Sequence, residues 1–192
     1  NSESDATLGL LTTSTEYLPG AQVRVTNPRQ QPTTSSYQVY DKPSYEWPTQ
    51  IAHPEGTYTD IVRDVWGKPP AITRRNADGP IALTRTLTYD SYQQLCRTIE
   101  PETGATLMGY DGAGNLAWSA SGLPASQPCE ANGTSLPVAN RKAARAYDAR
   151  NRLTSLSFPD LDGNQAWTYT PDGLPEQIIT RNEGGTVSVV NA

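Results

Sequence analysis

Long hydrophobic runs are missing from this sequence. No stretch approaches the roughly 20 apolar residues that a membrane-spanning helix needs, and the first residues, NSESDAT, are polar where a signal peptide is charged and then apolar. We therefore expect no membrane insertion. The chain also begins without Met, from which we expect a processed chain or a fragment of something longer.

Clustered positive charge is scarce as well. The chain has 15 Lys and Arg against 20 Asp and Glu, which gives a net charge of −5, whereas phosphate contacts need grouped Lys and Arg. The densest basic group, Arg141, Lys142 and Arg145, is interpreted as a solvated rim. We therefore expect neither nucleic acid nor an anionic membrane as a partner.

Cysteine occurs only twice, at Cys96 and Cys129. Two residues cannot form a zinc cluster of cysteines or a disulfide-rich scaffold. The sequence leaves two alternatives open, one disulfide or two unpaired and partly buried thiols. The redox compartment therefore stays undecided at this point.

Histidine occurs once, and this limits the catalysis that the sequence supports. His53 directly precedes a proline in IAHPEG, so it is interpreted as an extended residue entering a turn and not as a general acid or base. No second histidine is present for a Ser-His-Asp triad. Most candidate acids fall at repeated turn positions and are interpreted as structural, so we expect no glycosidase-like pair of carboxylates. These acids include Asp64, Asp90, Asp111, Asp148, Asp162 and Asp172. We predict no enzyme, no cofactor and no metal site.

Turn-forming and amphipathic aromatic residues are what the sequence has in abundance. It contains 15 Gly and 16 Pro, and its 10 Tyr and 4 Trp stand against a single Phe. Gly and Pro favour many short elements joined by turns. Tyr and Trp suit half-buried sheet faces, because each keeps a polar edge near water. An all-β fold is therefore expected.

A Tyr-Asp pair recurs along the chain, which is the sign of a repeat protein. After each pair comes a tight turn, because Asp at the first position and Gly or Asn at the fourth favour a type I turn. Thr170–Gly173 has Pro at its second position and predicts the same turn, whereas the turns at Asp90 and Asp41 depart from the pattern. The predicted repeat signature comprises Tyr40, Asp41, Asp64, Gly67, Tyr89, Asp90, Tyr110, Asp111, Gly114, Tyr147, Asp148, Tyr169 and Gly173.

Between the turns, large residues alternate with Thr and Ser in the period of a β-strand, as at Leu87 and Tyr89. Six copies of two strands predict about a dozen strands, and an open sheet of this size is expected to curl. Its unprotected edge strands are expected to self-associate.

The organisation predicted from this pattern has four parts. Residues 1–22 are a leading segment or incomplete repeat, and residues 23–122 and 145–192 are β-hairpin repeats. Residues 123–144 are an insertion loop or an extra hairpin. This insertion holds the sequon Asn132-Gly133-Thr134, whose Asn-Gly is interpreted as a hairpin turn and not as a glycan site.

The repeat resembles the RHS/YD-repeat family, whose units read approximately Tyr-Asp-x-x-Gly-Arg-Leu with a closing Pro-x-Gly turn. Residues 23–115 and 145–185 carry the resemblance, in strings such as GYDGAGNLAWSASG and RAYDARNRLTSLSFPDLDGN. It implies a curved antiparallel sheet strip that spirals into a hollow β-shell. Family members include bacterial polymorphic toxins, insecticidal toxin complexes, wall-associated proteins and teneurins.

The resemblance implies a non-catalytic structural segment of a larger bacterial protein that is secreted, surface-exposed or delivered by a secretion system. Its partners would be the rest of the parent chain or an enclosed toxin, since a chain of this length cannot close a shell. The Asp-Pro-x-Gly autoproteolytic segment of shell-forming toxins is not found in this sequence. The alternative is a carbohydrate-binding or adhesion module in which Trp47, Trp66 and Trp118 stack on sugars.

Overall fold

The computed structural model describes residues 2–5, 9–39, 43–182 and 185–191, and nearly all of them lie in strands or turns. The elements are β1 (Ser2–Asp5), β2 (Gly9–Thr12), β3 (Ser14–Leu18), β4 (Gln22–Thr26), β5 (Pro32–Val39), β6 (Pro43–Ala52), β7 (Thr57–Val62), β8 (Ala71–Asn76), β9 (Ala82–Tyr89), β10 (Leu95–Glu100), β11 (Gly104–Tyr110), β12 (Leu116–Leu123), α1 (Leu136–Ala139), β13 (Lys142–Tyr147), β14 (Leu153–Ser157), β15 (Asn164–Tyr169), β16 (Pro175–Asn182) and β17 (Gly185–Asn191).

Strand order in the main sheet follows the chain. β3 to β17 form a 15-stranded antiparallel sheet in which the neighbours of a strand in space are its neighbours in sequence, while β1 pairs with β2 in a separate two-stranded sheet. The prediction of an all-β fold built from tandem hairpins is therefore confirmed. The strand number exceeds the predicted dozen because the hairpin of residues 14–26, which carries no Tyr-Asp pair, and β17 add three strands to those of the six copies.

The chain divides into two compact units, residues 1–86 and 87–192, with the boundary inside β9. In the first unit the strands pair in simple registers, such as Gln50 with Asp60 and Ile72 with Arg85. Among its described residues, the buried hydrophobic ones are Ala21 and Val23. The described part of this unit thus consists of short paired strands that bury few hydrophobic side chains.

The second unit contains an apolar cluster on one face of β11 and β12. Buried and half-buried residues alternate along β11, as the two-residue period of a strand requires, and Leu107 lies opposite Ala120. The cluster comprises Ala105, Leu107, Trp118, Ala120, Leu123 and Val138. Val138 comes from α1, so the segment between β12 and β13 covers this face.

That intervening segment, residues 124–141, contains bends and the single turn of α1. The expected hairpin at Asn132-Gly133 is wrong. Gly133 has a φ of 58°, but its backbone packs on the Trp118 ring, where an added Cβ would lie 3.0 Å from ring carbons. Close packing on an indole, and not strand reversal, is what requires glycine at this position.

The two cysteines form a disulfide, Cys96–Cys129, with a Cα–Cα distance of 5.6 Å. This resolves the two alternatives that the sequence left open in favour of the bridge. It ties the 124–141 segment to β10. Across the described ranges, no helix is long and apolar enough to span a membrane.

Candidate functional site: the Tyr-Asp turns

One turn geometry recurs seven times in the described part of the chain. In each turn the N–H of the first residue, here called the head, donates to the carbonyl of the fifth, and the N–H of the fourth donates back to the carbonyl of the head, at 2.9–3.2 Å. The heads are Asn27, His53, Asp64, Asp90, Asp111, Asp148 and Thr170. This is a type I turn followed by a bulge, a common three-residue hairpin connection.

The fourth residue of every turn adopts the left-handed backbone region. The φ angles are 76° at Gly67, 85° at Gly114, 92° at Gly173 and 60° at Asn151, residues for which this region costs little. Gln30 and Gln93 take it too, at 61° and 63°. The turn at Asp90 thus has the common geometry although its sequence departs from the pattern.

The side chain of the head holds most of these turns together. In the four Asp turns, one carboxylate oxygen accepts the backbone N–H groups two and four residues later, at 2.8–3.0 Å. Asn27 does the same with its amide oxygen, and the Thr170 hydroxyl accepts from Leu174 at 3.1 Å. The repeated acids therefore serve as caps for backbone donors.

Two of these carboxylates have a further partner on the fifth residue of the turn. The Asn115 amide donates to Asp111 at 3.0 Å, and this bond, with the backbone donors, lowers the pKa of Asp111. Arg152 pairs with Asp148 at 2.6 Å and lowers the pKa of that carboxyl. Both groups are therefore ionised throughout the neutral range.

The Tyr before three of the heads links its strand to the preceding one. The hydroxyl of Tyr110 donates to the Leu95 carbonyl at 3.0 Å, and that of Tyr147 to the Leu116 carbonyl at 3.0 Å. Tyr169 repeats the bond to Leu153 at 2.7 Å. In all three cases the acceptor directly follows the five-residue turn of the previous copy. We call this bond the tyrosine latch.

The latch has a distinct chemical environment in two copies. Burial, and then the charge of Asp90, raises the pKa of Tyr110, so its hydroxyl keeps its proton and remains a donor. The guanidinium of Arg152 lies 4.3 Å from the centre of the Tyr169 ring. Arg152 thus contacts both the Asp148 carboxylate of its own turn and the ring of Tyr169, the next latch tyrosine.

Arg63 occupies the tyrosine position before Asp64 and forms an equivalent bond. Its Nε donates to the Pro48 carbonyl of β6 at 3.0 Å, and its Nη1 donates to the Gly67 carbonyl at 2.6 Å. Asn27 likewise replaces Asp as a head. The sequence pattern already places Arg63-Asp64 in the repeat as a degenerate copy, but it gives Arg63 no bonding partner and it missed Asn27 as a head.

Of the three remaining signature residues, one lies in the described part of the chain. Tyr89 is the last residue of β9, and Tyr40 and Asp41 lie outside the described residues. His53 heads a turn between β6 and β7, with its Nε2 3.0 Å from the Thr59 hydroxyl. Within the described part of the chain, no group of three or more His, Cys, Asp and Glu could hold a metal.

The three tryptophans considered for sugar stacking differ in accessibility. Trp118 is only 4% exposed and donates through Nε1 to the Ala131 carbonyl at 3.3 Å. Trp47 packs against Gly67, whereas Trp66 is 67% exposed. Of the three, Trp66 presents the most open ring.

No protein-family model matches the sequence, and neither does any curated protein. The fold is similar to chains of solved toxin-complex structures. For the TcdB2-TccC3-Cdc42 crystal structure the TM-score is 0.59 at 12% identity, covering 94% of this chain and 11% of that one.

Two further structures agree with this similarity. The TcdB2-TccC3-TEV crystal structure gives a TM-score of 0.52 at 11% identity, over 86% of this chain and 10% of that chain. The Photorhabdus luminescens Tc holotoxin pore with a TccC3 variant gives 0.51 at 13% identity, over 95% and 12%. The chain thus spans about a tenth of each of these chains, and at such identities the similarity shows the fold.

Proposed function

We propose that this chain is a non-catalytic wall segment of a larger RHS/YD-type protein whose β-shell encloses or presents a toxin or other cargo. The observation that carries the proposal is the tyrosine latch. In three successive copies it binds the copy to the one before it through a main-chain carbonyl. Any residue offers such an acceptor, so copies can be added without a specific partner side chain.

Two independent similarities support the toxin context. The repeat sequence resembles a family that includes insecticidal toxin complexes. The fold is similar to chains whose structures are those of toxin complexes, each roughly ten times longer than this chain. A wall segment accounts for both, since a shell is assembled from many such hairpins. The parent protein would then be secreted or delivered by a bacterial secretion system.

The use of the acids supports a non-catalytic role. The carboxylates of Asp64, Asp90, Asp111 and Asp148 accept two backbone N–H groups each. A carboxylate engaged in this way is oriented toward its own turn and is poorly placed to act as a general acid. The alternative is a carbohydrate-binding or adhesion module. Trp118 does not support it, because its ring is buried and cannot stack on a sugar.

Cryo-electron microscopy of the full-length protein that carries this segment tests the proposal. The expected result is a hollow β-shell in which these residues form consecutive hairpins of the wall and density for another part of the protein lies inside. A segment that stands outside any enclosed volume, as a separate closed domain, would refute the wall assignment.

A further inference from the structure

Residues 124–141 form a strap that lies on the apolar face of β11 and β12. Val138 of the strap is fully buried in the apolar cluster. Main-chain carbonyls of the strap accept three bonds from the sheet: from Arg97 to Gln127 at 3.0 Å, from Trp118 to Ala131 at 3.3 Å and from Lys142 to Asn132 at 2.7 Å. The three hydrogen bonds lie in the first half of the strap, whereas Gly133 and Val138 of the second half pack on the sheet.

Glu130 organises the interior of the strap. Its carboxylate accepts the N–H groups of Thr134 and Ser135 at 3.1 and 3.2 Å and the Gln127 amide at 2.6 Å, and it also bonds the Ser135 hydroxyl. The pKa of Glu130 is lowered, mainly by that hydroxyl. These bonds shape the strap but do not hold it to the sheet. The covalent tie to the sheet is Cys96–Cys129.

A cavity of about 550 Å³ gives access to this disulfide, since both cysteines line it. Cys96 is only 5% exposed, whereas Cys129 is half-buried, so Cys129 is the more accessible residue of the pair. Three carboxylates, those of Asp90, Asp111 and Glu130, belong to the lining, and no Lys or Arg does. The approach is therefore acidic.

We infer that Cys96–Cys129 is a reducible clasp: a small thiol entering this cavity cleaves the bond, releases residues 124–135 and uncovers Trp118. The thiolate attacks the Cys129 sulfur and the S–S bond breaks, with its electron pair leaving on the Cys96 sulfur, which takes a proton from water. A second thiol resolves the mixed disulfide and frees Cys129. Two thiols are thereby oxidised to one external disulfide.

The structure already accommodates the reduced product. The Cys96 sulfur lies 3.4 Å from the Thr88 carbonyl oxygen. In the disulfide this sulfur has no proton to donate, but the Cys96 thiol formed on reduction does. The new S–H thus finds an acceptor without rearrangement of the sheet. Opening is therefore expected to stay confined to the strap.

Hydrogen exchange measured by mass spectrometry, before and after reduction with dithiothreitol and alkylation, tests the clasp. A strap released from the sheet is expected to lose the conformation that its internal Glu130 bonds require. The Thr134 and Ser135 amides should therefore exchange at least about tenfold faster in the reduced protein, while the amides of the turn at 148–152 should keep their rates. The Cys96→Ser/Cys129→Ser double variant should match the reduced protein. Unchanged strap exchange, or loss of protection throughout residues 87–182, would overturn the inference.

The charge of the reductant tests the route through the cavity. Relative to the rates of the same two thiols on a small uncharged disulfide, cationic cysteamine should reduce Cys96–Cys129 at least about threefold faster than anionic 3-mercaptopropionate, and salt should diminish the difference. Asp90→Asn should lower the ratio and keep the turn, because Asn27 heads the same turn. Equal relative rates for the two thiols would exclude this route. Neither experiment depends on the chain belonging to a shell, so its failure leaves the proposed function untouched.

Discussion

At the scale of single residues, the Tyr and the Asp of a pair have different structural roles. The Asp caps the backbone of its own turn, whereas the Tyr reaches to another strand. Position therefore matters more than residue identity: Arg63 replaces one Tyr and Asn27 replaces one Asp, and each keeps the bond of the residue it replaces. A donor that reaches the preceding strand and an acceptor that caps the turn are the two requirements.

Tyr147→Phe removes one latch without changing the ring. The Leu116 carbonyl loses its bond from the Tyr147 hydroxyl, so the free energy of unfolding should fall by about 0.5–1.5 kcal/mol. Chemical denaturation measures the change. Tyr92→Phe is the matched control, because Tyr92 is 84% exposed and its loss should change stability by less than about 0.5 kcal/mol. Equal effects of the two substitutions would mean that the latch does not stabilise the sheet.

At the scale of elements, the turn joins two strands through ionised groups, and this makes its stability depend on pH. The pKa values of Asp111 and Asp148 lie below the ordinary value of 3.8 in the folded protein. The bonds of these carboxylates therefore contribute fully above the pKa of the unfolded chain. Their contribution is lost as the pH falls through the lower, folded pKa values.

Stability should accordingly be level from pH 7 down to about 4.5 and should decline below about pH 4. Urea denaturation at a series of pH values provides the measurement. Asp148→Asn should preserve the turn and reduce the acid-dependent loss, since Asn keeps an acceptor oxygen but cannot pair with Arg152 as an anion. A steep decline that begins above pH 5.5 would contradict the assignment of these carboxylates.

The elements also divide into those that the sequence predicts and those that it does not. The turns at Asp64, Asp111 and Asp148 could be placed because their bonds are local, within five residues. The partner of Tyr147 could not, because it depends on the register between β12 and β13 and on an insertion of unknown path. The Asn132-Gly133 hairpin turn was predicted wrongly for the same reason, since Gly133 packs on the distant Trp118 ring.

At the scale of the whole molecule, the central claim is that the chain is a repeat array in which each strand depends on its chain neighbours. Strand order in the main sheet follows the sequence, and the latches join consecutive copies. In such an array stability is a sum of local terms, so a copy can be added without disturbing the others. A closed domain with one shared core has no such freedom.

Duplication of residues 148–169 in tandem tests this claim most directly. The added copy begins with the Asp148 turn and ends with the Tyr169 latch, so it supplies every bond that the next copy needs. Hydrogen exchange by mass spectrometry should show the added strands as protected as β14 and β15, with rates elsewhere unchanged; an insert of the same composition in scrambled order should remain unprotected. Loss of protection across residues 87–182 on duplication would contradict the account.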